Sequence, residues 1–149
     1  IKNKKKLSIR FPNSTRPWQH VFEAVYGYML LALKQKKQKK INGNVFNFGP
    51  NNKSSITVIQ LVRKIKSKWN ILNWRIVNVK KGEYESKLLK LNSTKALDNI
   101  NWKCYLNANQ TIDMVIKWYK FFLENKNLNM YNYSINQIKE FEKIIKKNK

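Results

Sequence analysis

Two short segments concentrate the polar side chains suited to recognition chemistry: Arg16-Pro17-Trp18-Gln19-His20-Val21 and Phe46-Asn47-Phe48-Gly49-Pro50. Residues suited to catalysis are much scarcer. The four glycines, Gly27, Gly43, Gly49 and Gly82, are too far apart for a Gly-x-Gly-x-x-Gly turn or a Walker loop, so the sequence offers no phosphate-cradling turn for a dinucleotide or nucleotide. A Tyr-x-x-x-Lys pair would place a phenol and an ammonium on one helix face, where the cation lowers the phenol pKa. Tyr26, Tyr28, Tyr84, Tyr105, Tyr119, Tyr131 and Tyr133 are instead followed at that spacing by Leu30, Ala32, Leu88, Asn109, Leu123, Ile135 and Gln137. A single His20 rules out a Ser/His/Asp set worth arguing and a His-rich metal site. A single Cys104 rules out an intramolecular disulfide and a cysteine zinc site, and fits a reducing compartment.

The elements that must hold these residues can be read from periodicity. Leu7 to Arg10 alternates as a short strand and ends at the turn Pro12-Asn13-Ser14. Val21, Val25, Tyr28, Met29 and Ala32 repeat at helical spacing, so a helix runs from about Val21 to Leu33 and gives way to a solvated or fraying Lys36–Lys40. Val45 to Phe48 reads as a compact strand stopped by Gly49-Pro50. Thr57 and Gln60 form a capping box ahead of a helix whose inner face is Val58, Leu61, Val62, Ile65 and Trp69. Trp74 to Val79 is rich in β-formers. Asn92 can cap a helix through Ala96 and Leu97, and Asn101 can end it in the left-handed region. Ile112, Val115, Ile116, Tyr119, Phe122 and Leu123 mark the clearest helix. Its aromatic stripe, Trp118, Tyr119, Phe121 and Phe122, is expected in the core. Ser134 and Gln137 read as a second capping box opening a terminal helix with Ile138, Phe141 and Ile145 on one side. Short strands alternating with helices define an α/β chain.

A chain of 149 residues fits one domain or the back end of a larger one, and 42% hydrophobic content is enough for a real core. Thirty-one Lys and Arg against eight Asp and Glu give +23, a balance that ordinarily points to a polyanion. Only four cations are arginine (Arg10, Arg16, Arg63 and Arg75), although Arg is the better reader of phosphate and base edges. Lys, Asn and Ile share A/T-rich codons, so codon bias outweighs a polyanion partner as the source of the excess. No apolar run approaches a membrane span and no secretory leader is readable, so a cytoplasmic location without a membrane partner is expected. The first residue is Ile rather than Met, which hints at a piece of a longer protein.

In order and spacing, the two segments and the residues C-terminal to them resemble CDP-glucose 4,6-dehydratases, a branch of the extended short-chain dehydrogenase/reductase family. The likeness begins at Arg-Pro-Trp-Gln-His-Val and runs through Glu23 and Gly27-Tyr28. It continues in Phe46 to Pro50, similar to the family's Trp-Asn-Phe-Gly-Pro, and in Thr57-Val58. It resumes at Glu85, Leu89-Lys90-Leu91, Ser93-Thr94-Lys95-Ala96 and Trp102, and ends with Trp118-Tyr119-Lys120, Met130 and Gln137-Ile138. Departures fall in the substrate loops. The family's Leu-Gly-Trp-x-Pro becomes Ile100-Asn101-Trp102-Lys103-Cys104, its Asp before the Ser-Lys-Ala helix becomes Asn92, and the His before its Glu becomes Tyr84.

The resemblance implies the C-terminal substrate-binding part of an extended short-chain dehydrogenase/reductase over residues 1–149. That part holds partial Rossmann elements and a small α/β substrate domain, and the N-terminal cofactor half is missing. It implies an intact lyase of polysaccharide biosynthesis that uses NAD to oxidise C4 of the sugar, eliminate water across C5–C6 and return the hydride to C6. This chain holds no cofactor and is expected to be inactive alone. The resemblance nominates Arg16 and Asn47 for the diphosphate of a CDP-sugar nucleotide and Glu85 for a ribose or base hydroxyl. A guanidinium matches a diphosphate bidentately, and an amide donor beside it adds specificity. Each nomination has a plainer rival: Arg16 paired with Glu23 or capping a carbonyl, Asn47 as a buried amide satisfied by backbone, and Glu85 in a surface ion pair. Trp18 and His20 read as packing and orienting residues. The implied partners are a separate N-terminal Rossmann half or a homodimer mate. A basic nucleic-acid-binding module and a functionless remnant are the competing readings.

Overall fold

The computed structural model describes residues 6–50, 55–79, 82–125 and 129–148. Among the described residues, four short strands and five α-helices run in the order β1 (Leu7–Ile9), β2 (Thr15–Arg16), α1 (Val21–Lys37), β3 (Ile56–Thr57), α2 (Val58–Lys68), β4 (Trp74–Ile76), α3 (Thr94–Ile100), α4 (Ala108–Glu124) and α5 (Tyr131–Lys147). β1 and β4 pair in parallel, Leu7 opposite Trp74 and Ile9 opposite Ile76. Such a pair needs a crossover, and α2 supplies it: Val62 packs with Ile9 and Leu72 to close a small core against the two strands. β2 and β3 pair antiparallel, Thr15 opposite Thr57 and Arg16 opposite Ile56.

Local chemistry explains the helix boundaries. Thr57 and Gln60 satisfy each other's backbone N–H groups at the start of α2, as the capping box requires, and Asn107 with Gln110 does the same for α4. Asn101 ends α3 at φ 56°, and its N–H and that of Trp102 return to the carbonyls of Leu97 and Ala96. The amide side chain tolerates a backbone conformation that a β-branched residue would resist.

Four expectations need correction. The segment Val45–Phe48 is extended but forms no ladder among the described residues. A strand is a pairing as well as a composition, and here Phe48 turns into the core against α1. α1 continues to Lys37, where Lys34, Lys36 and Lys37 face the negative end of the helix dipole, and a 3-10 turn comes next at Lys39–Ile41 with Ile41 buried. α5 begins at Tyr131, not behind a Ser134 cap; the Ser134 hydroxyl accepts the indole N–H of Trp118 at 3.0 Å instead. The aromatic stripe of α4 is only partly buried. Tyr119 and Phe122 are exposed, and Trp118 stacks on Phe122, because α4 turns Thr111, Ile112, Met114 and Ile116 inward.

Two further cores hold the helices together. Ile41, Phe48, Ala96, Ile100 and Trp102 lie between α1 and α3, and Leu106, Met114, Phe141 and Ile145 join α4 to α5. Two glycines permit close approach here. A Cβ on Gly27 would fall 2.6 Å from the Phe48 ring, and one on Gly49 would fall 2.5 Å from Leu91 Cβ. No described helix is long and apolar enough to cross a membrane.

Candidate functional site

The Arg16–Val21 block is built as a scaffold around one cation. Trp18 donates its indole N–H to Ile56 O at 3.1 Å, which clamps the block to β3. Gln19 donates to Phe48 O at 2.8 Å, which ties it to the second segment. His20 is buried and caps α1, its Nδ1 accepting from Phe22 N at 3.3 Å. Burial pushes its imidazole below the ordinary value, which suits a structural acceptor. The N-terminal N–H groups of α2 bind the loop that leads into β2, Val58 N to Ser14 O and Ile59 N to Pro12 O. Both ends of the short β2 strand are therefore fixed.

Arg16 sits in that frame with only 18% of its side chain exposed. Its Nη1 donates to Thr15 O at 2.6 Å and to Ser86 O at 3.0 Å, and its Nη2 donates to Glu85 Oε1. The segment carrying Glu85 is held alongside β2 by Thr15 N to Lys87 O at 2.9 Å and by a bridge from Thr15 to Leu88. Two nominated residues that lie 69 positions apart thus meet as an ion pair. The expected rival pairing of Arg16 with Glu23 does not form, whereas the surface ion pair anticipated for Glu85 does, with Arg16 as its cation.

Asn47 is placed differently. It is exposed, on the side of the extended segment opposite buried Phe48, so it is not a buried amide satisfied by backbone. It lines neither of the two hollows bounded by Glu85. Gly49, two residues on, is fixed by its N–H to Ser93 Oγ at 2.9 Å.

Sequence reasoning missed the role of Glu23. It is fully buried, and its Oε1 accepts from Tyr105 N at 2.8 Å and Leu106 N at 2.6 Å. Burial pushes its carboxyl above the usual carboxylate range, against the opposing pull of the Leu106 and Tyr105 N–H groups and the Cys104 thiol. Trp102, also fully buried, donates to Glu23 O at 3.1 Å. Glu23 therefore locks α1 to the 102–106 loop. An isolated acid among so many lysines, on a helix of apolar neighbours, is the signal that marked it. No cluster of three or more His, Cys, Asp or Glu that could hold a metal occurs among the described residues.

No family model matches the chain. It is 28% identical over 129 residues to a CDP-glucose 4,6-dehydratase of Salmonella typhimurium, covering 86% of this chain and 36% of that protein. Among solved structures it is similar to a UDP-glucose-4-epimerase from Stenotrophomonas maltophila, bound to NAD and formylated UDP-arabinopyranose, with TM-score 0.66 and 14% identity. It is also similar to a UDP-glucuronic acid 4-epimerase from Bacillus cereus in complex with UDP-glucuronic acid and NAD, with TM-score 0.64 and 16% identity. A dTDP-glucose 4,6-dehydratase from Bacillus anthracis in complex with NAD matches with TM-score 0.64 and 20% identity. Each alignment covers 80% of this chain and 36% of the other, so the chain spans about a third of the length of these proteins. The chain has the fold of the C-terminal part of an extended short-chain dehydrogenase/reductase and is similar in sequence to that part of CDP-glucose 4,6-dehydratase.

Proposed function

We propose that this chain forms the nucleotide-binding wall of a CDP-glucose 4,6-dehydratase-like lyase, with Arg16 as the diphosphate anchor. The observation that carries this reading is the largely buried guanidinium of Arg16, held by two backbone carbonyls and paired with the partly exposed carboxylate of Glu85. A guanidinium has five N–H donors in a rigid fork, and three serve the contacts above. The charge-assisted bond to Glu85 is the one a diphosphate can replace, because an anion of higher charge competes for the same donor. Glu85, displaced from Arg16, then meets the ribose hydroxyls as an acceptor. Asn47, exposed on its extended segment, supplies an amide donor from the side opposite Phe48.

NAD does not fit this chain. Gly27 is filled by Phe48, Gly49 faces Leu91, and the turn from β3 into α2 carries no glycine and spends its first N–H groups on Thr57, Ser14 and Pro12. No redox step is assigned to these residues. Their work is to bind and orient a sugar nucleotide for a dinucleotide-binding half supplied by further sequence or by a separate polypeptide.

Titration of CDP-glucose into the isotope-labelled chain, carrying Val25→Gln and Met29→Gln to cover its exposed apolar face and checked first for a folded spectrum, tests the reading by NMR. Shifts at Arg16, Glu85 and Asn47 that Arg16→Ala abolishes are expected. Shifts elsewhere with these three unmoved would overturn it.

A further inference from the structure

Arg16 lines no part of a cavity of about 170 Å3 between α2 and α4. Its wall includes Trp18 and Gln19 from the segment before α1, Ile65 of α2, and Thr111, Ile112 and Ile116 of α4. The lining is apolar except for Gln19, Thr111 and the Trp18 indole, and the indole N–H is already spent on Ile56 O at 3.1 Å. None of the 31 Lys and Arg and none of the eight Asp and Glu lines it. One polar atom is left over. The Gln19 amide donates through Nε2 to Phe48 O at 2.8 Å, while its Oε1 is buried and accepts from nothing among the described residues. A buried acceptor without a donor is costly and rare in folded chains.

We propose that this cavity binds a small neutral ring compound bearing one hydroxyl, of the phenol class, whose O–H donates to Gln19 Oε1. Three features select that chemistry. The first is volume: an apolar cavity of ~150 Å3 takes a benzene ring. The second is charge. An ion placed against this uncharged wall would be buried without a partner, so phosphates, nucleotides and carboxylates are excluded. The third is the poor fit of water. An ordered water needs roughly two to four polar partners, and this wall offers at most Gln19 Oε1 and the Thr111 hydroxyl. A ring covers the aliphatic wall, and its hydroxyl supplies the missing donor. The site does not depend on what Arg16 holds.

The test uses the full 149-residue chain with labelled isoleucine methyls, in the Val25→Gln, Met29→Gln background, whose two substitutions lie outside this cavity. Phenol is expected to shift the Ile65, Ile112 and Ile116 methyls saturably and to give nuclear Overhauser contacts from its ring to them. Benzoate is expected to leave them unmoved. Toluene fills the same space without a donor and serves as the reference. Gln19→Met should lower the affinity of phenol relative to toluene by ~5-fold or more, the scale of one hydrogen bond. Ala108→Leu, which adds bulk at the wall, should abolish binding of both. An unchanged phenol-to-toluene ratio in Gln19→Met overturns the role of the amide and the ligand class with it. Absence of phenol contacts to the three methyls overturns the site itself, and that result needs no variant at Gln19 to fold. Equal shifts with benzoate overturn the exclusion of charge. Binding of N-acetyltyrosinamide as tightly as phenol assigns the cavity to a side chain of another polypeptide and overturns the small-molecule site.

Discussion

Arg16 and Glu85 form one unit, and the two residues should fail differently. Arg16→Ala removes the proposed diphosphate anchor and leaves a partly exposed carboxylate without its partner, at a stability cost of about 1–3 kcal/mol, read from the denaturation midpoint. Glu85→Gln should do the opposite for simple anions. Inorganic pyrophosphate should bind more tightly, because the guanidinium no longer has to be released from a charged partner, while the extra affinity that a nucleoside confers should fall. Weaker pyrophosphate binding in Glu85→Gln would mean that the carboxylate orients the guanidinium rather than competing for it.

Glu23 controls stability at the same scale. Its carboxyl titrates higher in the folded chain than in the unfolded one, so the folded state holds the proton more strongly. Its contribution is fully present below the unfolded value and is lost as pH rises through the folded value. Glu23→Gln keeps an acceptor for Tyr105 N and Leu106 N but removes the proton, so melting temperatures should decline less steeply from acidic to neutral pH than in the wild type. Parallel wild-type and variant curves would assign that slope to other groups. Glu23→Ala should cost ~2–5 kcal/mol at acidic pH and less as pH rises, because it strips two buried N–H groups of their acceptor and leaves a cavity.

The elements depend on close approach more than on propensity. Gly27 lies inside α1, where Ala would ordinarily add stability, but the added methyl meets the Phe48 ring, which is itself packed on Trp102. Gly27→Ala should therefore destabilise by ~1–3 kcal/mol, overpacking exceeding the propensity gain of about 1 kcal/mol. Unchanged or higher stability in urea would show that the 46–50 segment does not rest on α1. Asn101→Gly should be neutral or slightly stabilising, since glycine adopts φ 56° without strain, and Asn101→Val should cost at least ~1 kcal/mol.

These elements also mark what the sequence could and could not tell. Helix starts were legible where a side chain caps its own backbone, as at Thr57, and the stop at Asn101 was legible from the tolerance of asparagine for positive φ. The Val45–Phe48 strand was misread because β-forming residues ahead of a Gly-Pro stop describe one strand and say nothing about whether a partner strand is present. The Ser134 cap was misread because a Ser-x-x-Gln spacing competes with any earlier turn that can start the helix, here one closed by Asn129 onto Tyr131 N. At the site, the resemblance nominated Arg16, but its pairing with Glu85 depends on a bridge across more than 70 positions that no local pattern encodes. Glu23 was seen as a match in a series and not as a buried acceptor, because burial is a property of the packed helices.

The whole molecule carries apolar surface that its own elements do not cover. Val21, Val25, Tyr28, Met29 and Leu33 repeat along one side of α1 and are all exposed, as is Val45. Val21, Val25 and Met29 also line an apolar groove of about 550 Å3 that runs to Ile138 and Phe141 of α5. A surface of this kind marks an interface. Expressed by itself, the chain should sediment as oligomers or unfold over a broad range, and replacing Val25 and Met29 by Gln should raise the monomer fraction. A sharp, monomeric, fully cooperative transition in the wild-type chain would show that the surface needs no cover.

The central claim is that these residues are one wall of a larger nucleotide-sugar enzyme. Isolating the protein from its source through this segment, then measuring the mass and sequence of everything that remains bound, tests that claim most directly. The account predicts that a dinucleotide-binding fold with its Gly-x-Gly-x-x-Gly turn and Tyr-x-x-x-Lys pair is recovered, in the same polypeptide or in a bound one. Recovery of these 149 residues alone, as a stable monomer that CDP-glucose does not shift, would contradict it.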